Sequence, residues 1–253
     1  FKDAATKGLE ALLPGTGVYC PGLITPEGID EADIKDAYKS YYVSANMTLI
    51  VVGSFNRNVL VSQIKSTLGK VTPKPSNGSK LITPPYITGA KEVTGALSPL
   101  IGSDGEVGLA YRTDGLNSPD IYALWVLWKY LDRVLYERIR VKEAMSYSPG
   151  AGYSSGYDYG VFLTSADVNL DKIESAKALL EQELDELKQG RIEAKHLEVV
   201  KERILWEIAR SYESNSSVAG FYVSNLHRLK TNGNLTNDEA SISKVTPEDI
   251  QRV

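Results

Sequence analysis

The 253-residue sequence is poor in the side chains that bind transition metals or form disulfide bonds. Cys20 is the only cysteine, which excludes a disulfide framework and a cysteine-rich zinc site. Histidine occurs only at His196 and His227. No uninterrupted apolar run approaches the roughly 18 residues that a membrane-spanning helix needs. The sequence therefore offers little material for a metal centre of its own and none for a membrane span.

Neither sign of charge is in large excess. There are 28 basic and 32 acidic side chains, a net charge of −4, so nothing in the charge favours a nucleic-acid partner. Hydrophobic residues make up 42% and charged residues 24%, the usual balance of a globular protein. The 15 tyrosines, 3 tryptophans and the aliphatic residues exclude disorder as a description of the whole chain.

A weak internal repeat connects the two ends of the sequence. Ile29–Ile34 resembles Val245–Ile250, and each copy reads as the start of a helix. After the first copy, an apolar strand is expected at Met47–Val52, whereas the sequence stops soon after the second copy. The opening at Phe1 shows no leader, so a targeting segment is not expected within this sequence. The repeat predicts parts of two homologous domains.

The domain boundaries follow from composition. A Pro/Ser-rich stretch predicts a linker at 72–80. We therefore expect residues 1–71 to be the C-terminal part of a first αβ domain. Residues 81–253 are expected to form a second αβ domain, truncated before its last strand.

The hydrophobic periodicity predicts an α+β fold, with a two-layer antiparallel-type sheet and helices packed on one of its faces. Most strands precede the long helices of the second domain, which disfavours a parallel βαβ sheet. The predicted elements are a loop at 8–28, helices at 30–42 and 56–68, a buried strand at 47–52, strands at 81–83, 86–93 and 107–112, a long helix after Ser118, a strand pair at 146–153 and 160–168, and helices at 171–189, around 197–208 and at 214–229.

One motif resembles the nucleophile elbow of serine hydrolases. Gly152–Gly156 matches G-x-S-x-G with Ser154 as the nucleophile, and the partners needed for a triad are available at Asp167 or Asp185 and at His196 or His227. The elbow requires a strand, a sharp turn and then a helix, whereas an alternating strand follows here. A serine hydrolase is therefore kept only as the weakest alternative.

The histidines also fail the helical zinc pattern. Two histidines on one helix face must be four residues apart, and the residue four positions after His196 is Val200. We expect His196 to be a solvated helix residue and His227 a partly buried one.

A basic helix end stands out from this background. Arg138, Arg140 and Lys142 close the long helix, where cations suit the helix dipole, and Tyr147 opens the next strand seven residues after Arg140. A helix that feeds directly into a strand can bring a guanidinium and a phenol together. Arginine offers several donors to carbonyl or carboxylate oxygens, and tyrosine offers one. The chemistry alone favours the simpler interpretation, a helix-end charge beside an ordinary sheet aromatic.

The stretch Leu135–Gly152 resembles the second αβ domain of the pitrilysin/insulinase-type zinc metallopeptidases, which include the mitochondrial processing peptidases and related respiratory core proteins. The resemblance covers nearly the whole chain from about residue 29, because further segments match in the expected order: Ile34–Gly53, Tyr111–Ala123, Gly190–Lys201 and Glu213–Ser217. It implies a metallopeptidase-like αβ domain preceded by the tail of a homologous domain.

The family's zinc motif, H-x-x-E-H with a downstream glutamate, is absent from this sequence. The resemblance implies two homologous halves around a chamber, one holding zinc and the other holding substrate through an arginine and a tyrosine seven residues apart. Arg140 and Tyr147 match that pair. Arg140 would bind a substrate backbone carbonyl, and Tyr147 would donate to the carbonyl oxygen as it becomes an oxyanion.

The chain alone is therefore expected to be inactive and free of zinc, with zinc as the cofactor of the other half. Its expected partners are that zinc-bearing half, in the same polypeptide or a separate subunit, and a peptide substrate. Neither nucleic acid nor a membrane is expected. A structural core subunit of the same fold, with no protease role, remains the alternative.

Overall fold

The computed structural model describes residues 4–14, 28–75, 83–94, 104–232 and 238–253. The chain divides into two compact units. The first, here called the sheet unit, contains the described residues of Phe1–Cys20, Ile82–Ile208 and Thr236–Val253. The second, here called the helical unit, contains those of Pro21–Leu81 and Ala209–Leu235. Each unit is therefore assembled from separate stretches of the sequence.

The described elements are mostly helices. In chain order they are α1 (Ala4–Leu12), α2 (Glu31–Tyr41), α3 (Arg57–Ser66), β1 (Asp104–Asp114), α4 (Ile121–Leu135), β2 (Gly150–Ser155), β3 (Tyr159–Asn169), α5 (Ile173–Lys188), α6 (Ala194–Arg210), α7 (Asn215–Ser224), α8 (Leu226–Asn232), α9 (Asp238–Ser243) and α10 (Pro247–Arg252). None of these described helices is both long and apolar enough to cross a membrane.

The sheet unit is built on a three-stranded antiparallel sheet in the order β1-β3-β2. Along the central strand β3, every second side chain is buried, namely Phe162, Thr164, Ala166 and Val168. Because successive side chains of a strand point to opposite faces, this alternation places one face of the sheet against the helices. The predicted α+β class, with helices on one face of an antiparallel sheet, is confirmed.

The core lies between that face and α4, α5 and α6. On α4 the buried side chains Leu131 and Leu135 belong to the apolar stripe that the sequence periodicity predicted, and Leu127 is buried with them. They join Leu180 of α5 and Ile204 of α6 in one continuous cluster. Burying a leucine or isoleucine contributes about 1.5–3 kcal/mol, so this interface dominates the stability of the sheet unit.

The two copies of the internal repeat begin with the same local structure. The Asp30 side chain accepts a hydrogen bond from the Asp33 amide at 2.9 Å, and the Asp33 side chain accepts one from the Asp30 amide at 3.1 Å. Thr246 and Asp249 form the same reciprocal capping box at the start of α10. The repeat thus corresponds to two equivalent helix starts, one in each unit.

The predicted buried strand at 47–52 is wrong for this structure. No strand is assigned there, and Met47, Leu49 and Val51 are 58%, 56% and 41% exposed. A strand requires a neighbouring strand to which its N–H and C=O groups bond. No segment among the described residues of the helical unit provides one, so the apolar stretch stays extended and uncovered.

Further predictions of secondary structure need correction. The predicted strand at 86–93 forms no ladder. The predicted loop at 8–28 begins inside α1, which continues to Leu12, while residues 15–27 lie outside the described part. The predicted helix at 214–229 is interrupted at Asn225, which caps α7 before α8 begins. Of the strand predicted at 81–83, only Thr83 is described, and it is not in a strand.

Candidate functional site

The helix that carries the basic cluster changes its geometry at its C-terminal end. α4 continues into a π-helical segment, Tyr136–Lys142, which is then followed by Glu143. The turn after it places Ala144 at φ 49°, and the Met145 amide donates to the carbonyl of Ile139 at 3.0 Å. π-Helical turns occur often at functional sites, and a left-handed alanine is unfavourable. The chain therefore accepts local strain at the connection between the helix and the following strand.

This connection brings the two predicted site residues together. The Cζ atom of Arg140 lies 4.0 Å from the ring centroid of Tyr147, and Arg140 Nη1 donates to the main-chain oxygen of Tyr147 at 2.5 Å. The ring of Tyr136 also lies near the guanidinium, with its centroid 5.1 Å from Cζ. Two aromatic rings and one hydrogen bond thus restrict where the guanidinium can go.

Both side chains keep donors for a further acceptor. Arginine has five N–H donors, and only the bond to the Tyr147 carbonyl is recorded among the described residues. The Tyr147 side chain is 78% exposed, and its hydroxyl has no hydrogen-bond partner within the described part of the chain. The arrangement can therefore offer a cationic donor and a neutral O–H donor to oxygen atoms of a bound molecule.

Side chains of α4 fix the start of β2, the strand that follows Tyr147. Trp128 Nε1 donates to the Ala151 carbonyl at 2.7 Å, and the Ala151 amide donates to Asp132 Oδ1 at 3.1 Å. At Gly150 an added Cβ would lie 2.6 Å from the same Asp132 oxygen, so Asp132 would have to move to accommodate a side chain there. These contacts hold the segment that leads from Tyr147 into the sheet.

Arg138 links the helix end to α5. Its Nε lies 3.9 Å from Glu183 and 3.8 Å from Glu143. Burial raises the pKa of Glu183, and the neighbouring Glu186 raises it further, while Arg138 and Lys142 oppose the shift. The basic cluster thus also contributes to packing, since Arg138 and Lys142 reduce the cost of burying the Glu183 carboxylate.

Comparison with known proteins decides the family. The model described as peptidase M16 inactive domain matches residues 28–204, more than half of the chain. The chain belongs to the peptidase M16 inactive-domain family. The resemblance to pitrilysin/insulinase-type peptidases inferred from the sequence is thereby confirmed. A search of curated proteins gives no match.

Solved structures agree with the fold. A peptidase M16 inactive domain from Pseudomonas fluorescens superposes with a TM-score of 0.76 at 16% identity, over 98% of this chain and 60% of that one. A protease from Helicobacter pylori gives a TM-score of 0.75 at 23% identity, over 89% of this chain and 55% of that one. The chain thus spans little more than half of these relatives. It is a non-catalytic segment of the M16 family.

The geometry of this M16 domain excludes a nucleophile elbow at Ser154, and with it the serine-hydrolase alternative. Ser154 lies within β2, and the G-x-S-x-G motif continues through a turn into β3. No helix follows the serine, so the elbow is not formed. Of the proposed triad partners, Asp185 is paired with Lys188 at 3.0 Å, and Asp167 is exposed on β3.

The inactive M16 domain shows no metal centre in its described residues. No group of three histidine, cysteine or carboxylate side chains there could hold an ion. His196 of α6 lies near Glu193 and Glu137, at 3.3 and 3.8 Å, and its side chain is 25% exposed, so it is less solvated than expected. The side chain of His227 and the whole of Cys20 lie outside the described part.

Sequence reasoning missed two residues of the site. Tyr136 precedes Arg140 by four positions, a spacing that places side chains next to each other on a helix, and this signal was available. Ala144 gave no signal, because alanine seldom adopts a positive φ and nothing in its neighbours predicts one.

Proposed function

We propose that this chain is the substrate-holding, non-catalytic part of a zinc-dependent endopeptidase that cleaves peptides in a chamber formed by two homologous halves. The family match supports the description of the chain as a non-catalytic M16 segment. The substrate-holding role rests mainly on one observation, the contact between Arg140 and Tyr147, in which both side chains keep free donors.

In this proposal the two residues act on oxygen atoms of a peptide. The unused N–H groups of Arg140 donate to a backbone carbonyl, which positions the extended substrate. The Tyr147 hydroxyl donates to the carbonyl oxygen at the cleaved bond, where negative charge develops in the transition state. A hydrogen bond that strengthens as charge develops raises the rate, whereas the positioning bond mainly affects substrate binding.

The metal belongs to the partner half in this proposal. The described residues provide no suitable set of ligands, so no step is assigned to a metal held by this chain. The chain on its own is predicted to bind no zinc and to hydrolyse nothing. Its partner is a homologous half that carries H-x-x-E-H, either in the same polypeptide or as a separate subunit.

We also propose that residues 1–71 belong to a first αβ domain, with 72–80 as the linker to a second one. The exposure of Met47, Leu49 and Val51 supports this, because an apolar extended segment is suited to pairing within a sheet. The equivalent capping boxes of α2 and α10 are consistent with homologous domains.

A structural subunit without a protease role is the second candidate. Complex III2 from Candida albicans contains a chain that superposes with a TM-score of 0.65 at 15% identity, over 98% of this chain. The fold is therefore also found in a protein whose name denotes a complex, not a protease. Isolation of the protein without any H-x-x-E-H partner would favour this candidate.

The test uses the assembled protein with its H-x-x-E-H half and a fluorogenic peptide. Arg140→Ala and Tyr147→Phe are each expected to lower kcat/KM by about tenfold or more, the usual cost of losing one transition-state donor. Arg133→Ala, which changes an exposed arginine of α4, is the matched control. Unchanged kcat/KM in both site variants would refute the substrate-holding role.

A further inference from the structure

Arg112 lies in β1, on the face of the sheet turned away from the helices. It pairs with Val161 of β3, whereas the neighbouring Tyr111 pairs with Phe162, which is buried against the helices. Directly opposed residues of an antiparallel pair share one face, so Arg112 projects from the other side of the sheet. Arg112 thus belongs to a different element from Arg140, which lies in the π-helical segment at the end of α4.

No described residue accepts a hydrogen bond from the shielded atoms of the Arg112 guanidinium. Nε and Nη1 are shielded from solvent and make no hydrogen bond, and no carboxylate of a described residue forms an ion pair with this side chain. Shielded charged donors without partners are costly, and they are rare in folded proteins. Among the described arginines, the other shielded atom without a hydrogen bond is Nε of Arg138, which has two carboxylates nearby.

Aromatic rings hold the guanidinium in place. The Tyr86 ring centroid is 3.8 Å from Arg112 Cζ, and that of Tyr159 is 5.9 Å away. Aromatic faces stabilise a cation and fix the guanidinium plane, but they satisfy none of its N–H groups. The donor fork is therefore oriented without being used.

The carboxylate two positions further along β1, on the same face of the sheet, is already engaged. Asp114 accepts a hydrogen bond from the Tyr86 hydroxyl at 2.8 Å and another from Ser118 Oγ at 3.3 Å. The bond to Asp114 also raises the pKa of Tyr86. Asp114 therefore fixes the ring that covers Arg112 and does not neutralise the arginine itself.

We propose that Arg112 is a binding site for the carboxylate of a ligand, framed by Tyr86 and Tyr159. Tyr86 is 65% exposed and belongs to the segment 83–94, which forms no ladder with β1. The proposal requires that this ring move off the guanidinium, which breaks its hydrogen bond to Asp114. A planar carboxylate then matches the guanidinium fork with two parallel hydrogen bonds. The carboxylate comes from a peptide C-terminus or from an acidic side chain. This site does not depend on the function proposed for Arg140 and Tyr147.

The test follows the side-chain Nε–Hε signals of the arginines by NMR in the ¹⁵N-labelled 253-residue chain. Two probes separate the two sources of carboxylate: N-acetylglycine, and N-acetylglutamate with its α-carboxyl blocked as the methylamide. N-acetylglycinamide is the uncharged control, and sodium chloride at matched ionic strength controls for screening. We expect a saturable shift of the Arg112 signal with one or both acids and none with the controls. The Arg133 signal, from an exposed arginine of α4, should stay in place.

Arg112→Lys retains the charge and removes the fork. It is expected to weaken binding of the effective acid at least about fivefold. Arg133→Lys is the matched variant and should bind as the parent does. An Arg112 signal that ignores both acids, or that responds equally to sodium chloride, overturns the proposal. So does a folded Arg112→Lys chain with unchanged affinity. If Arg112→Lys does not fold, the signal of the parent chain decides.

Discussion

Arg140 donates a hydrogen bond to the main-chain oxygen of Tyr147 and lies against the ring of the same residue, 4.0 Å from its centroid. A spacing of seven residues thus becomes a direct contact, because the π-helical end of α4 and the turn at Ala144 reverse the chain between them. The arginine is held by the residue with which it is proposed to act. Its position consequently depends on the backbone and the ring of Tyr147 and not on the hydroxyl.

This arrangement predicts separable effects for the two side chains. Tyr147→Phe keeps the ring and the backbone acceptor and removes only the hydroxyl. We expect kcat of the assembled peptidase to fall with KM nearly unchanged, because the lost bond is made mainly in the transition state. Since Tyr147 is largely exposed, the substitution should change the free energy of unfolding by less than about 0.5 kcal/mol, as measured by thermal unfolding. A rise in KM without any fall in kcat would contradict the assigned role.

The turn between helix and strand predicts a stabilising substitution. Ala144 has φ 49°, where an L-residue is strained and glycine is not. Ala144→Gly is expected to raise the free energy of unfolding by about 0.5–1 kcal/mol, after the greater freedom of glycine in the unfolded chain is subtracted. Urea denaturation measures this. Ala178→Gly, in the exposed face of α5, is the matched control and should cost about 1 kcal/mol. Similar losses from both changes would show that Ala144 is not strained.

The sequence was sufficient for the elements that carry their own signals. α4 and α5 have regular apolar stripes, and α10 has a capping box that can be read from Thr246 and Asp249. Strand predictions failed at 47–52 and 86–93, because a strand depends on a partner that no local pattern specifies. Arg140 and Tyr147 were predicted because their identities and their spacing match a pair in the family that the sequence resembles. The unpaired donors of Arg112 were not predicted, since they depend on which side chains surround the guanidinium in space.

Two glycines of β2 predict opposite tolerance to a methyl group. At Gly150 an added Cβ would lie 2.6 Å from Asp132 Oδ1, whereas at Gly152 it would meet nothing within 4 Å. Gly150→Ala is expected to destabilise the sheet unit by about 1–3 kcal/mol, because Asp132 must move and its bond with the Ala151 amide is strained. Gly152→Ala should be neutral or slightly stabilising. Urea denaturation of both variants checks this, and equal losses would contradict it.

Glu183 predicts how the stability of the sheet unit depends on pH. Its pKa is raised above the usual value of 4.5, chiefly by burial, so the folded state holds this proton more tightly than the unfolded state. Its contribution to stability is therefore greatest below the unfolded value and is lost as the pH rises through the folded value. Glu183→Gln removes the titration, and we expect the variant to lose less stability than the parent as the pH rises from about 4 through the folded pKa of Glu183. Urea unfolding at several pH values measures the slopes. Identical slopes would mean that Glu183 titrates alike in both states, and a steeper slope in the variant would mean that Arg138 and Lys142 outweigh the burial.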